Sequence, residues 1–90
     1  MTYSVFVDDS AKTRLLRLDN SLKIPILKKL KQLERDDLPS RHLQHGLPYF
    51  VEDVSGFRIA FTKDDAARVK KVWFIGDHKE YEKWFRSVAP

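Results

Sequence analysis

Arg58, in the stretch SGFRIAF, and the polar group Asp77-His78-Lys79, just after the apolar run Val72 to Ile75, are the residues of this 90-residue sequence best placed to do chemistry. In Phe57-Arg58-Ile59-Ala60-Phe61-Thr62 the apolar positions alternate, so Phe57, Ile59 and Phe61 turn to a core while Arg58 points the other way. An arginine on the outer face of a strand can hold a polyanion. The plainer possibility is a surface arginine paired with Glu52 or Asp53 across a hairpin. The polar residues from Asp77 onward fall at a strand end, on the rim of a sheet, where His78 has the equally plain reading of a loop histidine.

The elements that must position these residues are legible from pattern. Tyr49 to Val54, Phe57 to Thr62 and Lys71 to Ile75 read as strands, the first two joined by Ser55-Gly56, a pair suited to a two-residue hairpin turn. The loop Lys63 to Arg68 separates the second from the third. The run Val72-Trp73-Phe74-Ile75 fits a strand covered on both faces. Upstream, Tyr3 to Val7 reads as a further strand ending at Asp8-Asp9, with Ser10 as N-cap of a short helix whose Ala11, Leu15 and Leu18 form one stripe. A second helix carries Leu22, Ile26, Leu30 and Leu33 on one side, with Leu27 widening the stripe and Lys28, Lys29 and Lys31 outward. Pro25 implies either a start near Lys23 or a distorted first turn, and Asp36-Asp37-Leu38-Pro39 is the expected stop. Ser40 to Pro48 is a polar connector. After His78, Tyr81, Trp84, Phe85 and Val88 recur at helical spacing, the mark of a closing helix in which Trp84 and Phe85 suit the core more than base stacking while Tyr81 suits either. The expected fold class is α+β: a small, mostly antiparallel sheet with an N-terminal helical hairpin on one face and a short C-terminal helix.

Residues 1 to 90 are expected to form one domain with a single core. The absence of cysteine removes disulfides and thiolate metal sites, and His42 and His45 lack metal-ligand companions. No metal or other cofactor is expected. No apolar run approaches a membrane span and the N-terminus lacks the features of a signal peptide, so a cytoplasmic, membrane-free protein is expected. No phosphate-binding glycine loop or nucleophile elbow is present. The net charge is +4, and Ser10 to Arg41 alone holds nine basic and four acidic residues. That excess suits RNA or an acidic protein partner, and equally a solvated helix face.

Taken together, SAKTRLLRLDNSLKIPILKKLKQL, HLQHGLPYF, SGFRIAF and VWFIGDHKEYEKW resemble, in order and spacing, the RelE/ParE superfamily of type II toxin-antitoxin toxins, nearer to its RelE-like ribonucleases. The resemblance runs from Tyr3 to about Trp84. It implies a ribosome-dependent mRNA endonuclease that works without a metal, by attack of a ribose 2′-hydroxyl on the adjacent phosphate. By position, Arg58 matches the family's strand arginine that holds the scissile phosphate. His78 falls where many members have arginine, Lys79 matches the following lysine, and Tyr81 lies near a tyrosine that stacks on or orients a base. Phe50 and Glu52 stand near positions where the best-studied branch has lysines, and Glu52 is a candidate base. Lys28, Lys29, Lys31 and Arg41 are candidate RNA contacts. The implied partners are a cognate antitoxin, the ribosome and mRNA, with DNA reached only through the antitoxin complex.

Two rivals share these residues. A ParE-like inhibitor of DNA gyrase would fit the missing lysines, although Arg58 and the GDHKEY ending count against it. A relative that has lost catalysis would survive as an RNA- or protein-binding module.

Overall fold

The computed structural model describes residues 2–35, 41–42 and 49–88. In chain order these form β1 (Ser4–Val7), α1 (Asp9–Leu16), α2 (Asn20–Gln32), β2 (Arg41–His42), β3 (Phe50–Val54), β4 (Phe57–Asp64), β5 (Val69–Asp77) and α3 (His78–Val88). The strands make one sheet in the order β1-β5-β4-β3-β2. Only β1 and β5 are parallel; the other three pairings are antiparallel. The expected α+β architecture is therefore present, with additions at its edges.

The β3–β4 turn follows the sequence closely. Ser55 and Gly56 both have positive φ (50° and 82°), and Val54 pairs directly with Phe57, which is the two-residue geometry that matches strand twist. Both later strands run further than their apolar cores suggest: β4 continues to Asp64 and β5 spans Val69 to Asp77, so Gly76 and Asp77 belong to the strand. Backbone pairing continues there because it does not depend on apolar side chains. Part of the Ser40 to Pro48 connector is a strand, since Arg41 and His42 pair with Val51 and Phe50; its remainder lies outside the described residues. α2 stops at Gln32 with Leu33 as its C-cap, short of the expected stop at Asp36 to Pro39, because the Glu34 amide turns to the Lys31 carbonyl and ends the helix there.

A register shift between Ala60 and Phe61 places Phe61 opposite Val72 and Ala60 opposite Phe74, leaving Trp73 as the extra residue of a β-bulge. Val72 and Ile75 join Ile59, Phe61, Val54, Ala11, Leu15, Ile26 and Leu33 in the main core, on the face covered by α1 and α2. Phe74 joins Val51, Ala60 and Tyr81, with Trp84 and Phe85 beside them, on the face covered by α3. β5 is thus covered on both faces, as its continuous apolar run implies.

Three further local expectations are corrected. Asp8, not Ser10, caps α1: its carboxylate accepts from the Ser10 amide at 3.2 Å and the Ser10 hydroxyl at 2.7 Å, because an aspartate one position before the helix reaches those donors more directly. α2 begins at Asn20 and runs through Pro25; the bond that proline cannot make falls on the Ser21 carbonyl, in an exposed first turn where water can serve it. Leu27 does not widen the buried stripe. It is 50% exposed, and Ile24 and Leu16 are exposed as well. One buried charge was not foreseen: Lys70 donates to the Arg35 carbonyl at 3.1 Å and lies 4.6 Å from the Tyr3 ring centre, so its ammonium is held by a carbonyl and aromatic faces.

Candidate nucleic-acid interface

Strand register decides which candidate residues can meet. Arg58 pairs with Asp53 on one side and Gly76 on the other, while Glu52 pairs with Ile59. Paired residues share a face of the sheet. Arg58 therefore lies on the α3 face, and Glu52 lies on the opposite face with the helical hairpin. Glu52 cannot reach a phosphate held by Arg58, and its candidacy as a base is corrected on that ground: alternation along a strand separates neighbours by the full thickness of the sheet.

On the α3 face, Arg58 is held from two sides. Its Nε donates to Asp53 Oδ1 at 3.2 Å, and its guanidinium lies 4.7 Å from the centre of the Tyr81 ring. The Arg58 side chain is 31% exposed, so the fork still has an open side. Tyr81 is buried and makes an edge contact with Phe74, with ring centres 6.1 Å apart, while Phe74 stacks on Trp84 at 5.2 Å. Tyr49 meets the same Trp84 edge-on at 5.0 Å. Tyr81 is thus a supporting floor for Arg58 within an aromatic cluster, and Trp84 and Phe85 are core, as their spacing suggests.

His78 and Lys79 are the first two residues of α3 and are exposed. Their position is fixed by a capping box that the sequence reading missed. The Glu80 amide donates to Asp77 Oδ1 at 2.8 Å, and the Asp77 amide donates to Glu80 Oε1 at 3.0 Å, satisfying two helix-start donors reciprocally. The pattern Asp77-x-x-Glu80 was its visible signal. Glu80 also accepts from Arg14 of α1 at 2.5 Å, and the Arg14 guanidinium lies 5.0 Å from the Phe74 ring centre. No local pattern links Arg14 to Glu80, because the contact exists only once β5 brings the two helices together.

The lysines Lys28, Lys29 and Lys31 belong to α2, whose Ile26 packs on the other side of the sheet. Lys31 pairs with Glu34 at 3.3 Å. They are not assembled with Arg58. Arg41 lies in β2, its backbone paired with Val51. Arg58 and Tyr81 therefore meet near the start of β4 and the end of β5, His78 and Lys79 follow at the exposed start of α3, and Glu52 and the α2 lysines lie on the other side of the sheet.

No protein-family model matches the chain, and no curated protein matches it by sequence. Solved structures do match. A RelBE toxin–antitoxin complex from Mycobacterium tuberculosis aligns with a TM-score of 0.77 at 16% identity, covering 87% of this chain and 100% of that one. A mutant of the E. coli toxin RelE in the free state gives 0.74 at 20% identity, covering 98% and 99%. An archaeal RelE–RelB complex from Pyrococcus horikoshii gives 0.69 at 17% identity, covering 86% and 96%. The chain has the fold of RelE-type toxins. At these identities the likeness is one of fold, and what the site does rests on its own residues.

Proposed function

We propose that this chain is the toxin of a type II toxin-antitoxin pair and cleaves mRNA on the ribosome without a metal. The observation that carries the reading is Arg58, held by Tyr81 and Asp53 on the face that α3 covers, with a partly exposed guanidinium and with His78 and Lys79 exposed at the start of α3, within a RelE-type fold. A phosphate arriving at the open side of Arg58 exchanges with Asp53 for its guanidinium donors. The fork then carries the charge that develops on the phosphorane as the 2′-oxygen attacks. His78 takes the proton from that hydroxyl or returns one to the leaving 5′-oxygen, since an imidazole ring has one nitrogen that can accept a proton and one that can donate it. Lys79 adds positive charge at the rim. Tyr81 acts through Arg58, as its floor, and so is a positioning residue.

The partners follow from the same reading. Several of the matching RelE structures are complexes with a RelB antitoxin or an antitoxin peptide, and a cognate antitoxin covering this chain's cationic surface is its proposed counterpart. DNA is reached through that complex, and the site of action is the ribosome in the cytoplasm. No helix among the described residues is long and apolar enough to cross a membrane.

Mapping of cuts in a reporter mRNA by primer extension after brief induction tests the proposal. Cuts inside translated codons that vanish in Arg58→Ala are expected. Intact mRNA with arrested growth would remove the nuclease and turn attention to gyrase. Asp53 favours a second reading, because it already occupies Arg58 and places a carboxylate where a phosphate would bind. In a non-catalytic binding relative, mRNA stays intact and growth is normal.

A further inference from the structure

β1 reaches only as far as Val72 along β5, so the last part of the outer edge of β5 is flanked by α1 instead of a strand. A cleft of about 550 Å³ opens there, between α1 and the first turn of α3, within the size range of small-ligand sites. Leu18, Phe57 and Ile75 line its apolar part, and Arg14 of α1 and Arg17, the C-cap of α1, supply its cations. Arg17 has no ion pair, side-chain hydrogen bond or ring contact with another described residue. Arg14 is engaged by Glu80, which also lines the cleft, through one terminal nitrogen, leaving further donors of its fork. The hydroxyls of Ser10 and Thr13 are committed to Asp8 and to the Asp9 carbonyl, so the arginines supply the recognition. Gly76 lines the cleft and is the strand partner of Arg58, but the Phe74 ring and Glu80 pack over Gly76 on the α3 side, so the cleft and the Arg58 face are neighbouring and separate.

We propose that this cleft holds one nucleotide of single-stranded RNA, at a subsite separate from the one at Arg58, with its phosphate on Arg17 and Arg14 and its base against Phe57 and Leu18. An apolar floor beside unneutralised cationic charge suits a nucleotide better than a purely apolar or purely anionic ligand. This rests on the RNA reading of the Arg58 face, and the test separates the two. A trinucleotide of RNA with 2′-O-methyl groups, which cannot be cut, is titrated into the full chain and followed by amide NMR. Shifts at Thr13, Phe57 and Gly76 are expected. Arg17→Gln should weaken binding about tenfold and lower the salt slope by about one, and Arg17→Lys should restore part of both. Shifts confined to Arg58 and Tyr81, unaltered affinity in Arg17→Gln, or no binding at millimolar trinucleotide would overturn the cleft. Cleavage of translated mRNA is read separately. Cleavage without a cleft response removes the cleft alone, and a cleft response without cleavage removes the nuclease alone.

Discussion

Arg58 is poised between an anion of its own chain and one from outside. Asp53 holds it through a partly exposed pair, an interaction worth about 0.2 to 1 kcal/mol, small enough for an incoming phosphate to displace. Asp53→Asn should therefore tighten binding of an uncut oligonucleotide by about two- to fivefold, read by fluorescence anisotropy. Unchanged affinity would mean that Asp53 does not compete for the arginine. Arg58→Lys keeps the charge but loses the planar fork and its stacking on Tyr81. It should cut reporter mRNA at least about a hundredfold more slowly than wild type, and near-normal cutting would show that a point charge suffices. At the opposite end of the sheet, the Tyr3 hydroxyl donates to Asp65. That bond holds the Asp65 carboxyl below its ordinary range and raises the Tyr3 phenol. Asp8 is likewise lowered from its ordinary 3.8, first by the Ser10 hydroxyl and then by the Ser10 amide. Both carboxyls thus bind protons more tightly in the unfolded chain. The stability they contribute is present above the ordinary carboxylate value and lost as pH falls through their folded values. Thermal melts taken from neutral pH downward should show Asp8→Asn with a shallower acid limb than wild type, and parallel limbs would count against the capping contribution.

Among the elements, α3 depends on two devices at its start. The Asp77–Glu80 capping box fixes the turn that carries His78 and Lys79, and Gly76 lets the Phe74 ring cross the strand. A Cβ on Gly76 would lie 2.5 Å from the Phe74 ring and 3.2 Å from the Glu80 Cβ. Since Phe74 is buried against Trp84 and beneath Arg14, it has little room to retreat. Gly76→Ala should cost about 1 to 3 kcal/mol, visible as a lower urea midpoint with an unchanged m-value. The requirement comes from packing, since the φ of Gly76 is not among the positive ones. The hairpin is the contrasting case. Ser55 holds a positive φ of 50° in the open, a conformation that asparagine tolerates better, so Ser55→Asn should raise the melting temperature.

For the whole molecule, the sheet separates two cores of unequal weight. The larger lies under α1 and α2, and the smaller, mostly aromatic one under α3. β4 sits at the centre of the sheet and feeds both, with Ile59 and Phe61 on one side and Ala60 on the other, all fully buried. Phe61→Ala should remove about 3 to 5 kcal/mol, enough to unfold a marginally stable small domain. Trp84→Ala, at a half-buried position, should cost less in global stability while loosening α3 and the Tyr81 floor beneath Arg58. Amide exchange would show this as faster exchange in α3 with β4 still protected, whereas uniform acceleration would mean that the two faces unfold together.

What local chemistry dictates was readable in the chain itself. The Ser55-Gly56 turn, the outward position of Arg58, the two-sided burial of β5 and the apolar stripes of α1 and α3 all follow from periods of two or 3.6 residues and from the freedom of glycine at positive φ. So did the α+β class, because those stripes need a sheet to bury them. Only the tertiary structure decided register and facing. It set Glu52 behind the sheet and Asp53 beside Arg58, turned Leu27 outward, and gave the α2 lysines a different side from the candidate site. It also drew Arg14 to Glu80 across 66 residues of sequence separation. A one-residue choice of strand pairing reverses every side chain, and nothing in the local pattern fixes which distant charge a long side chain will meet.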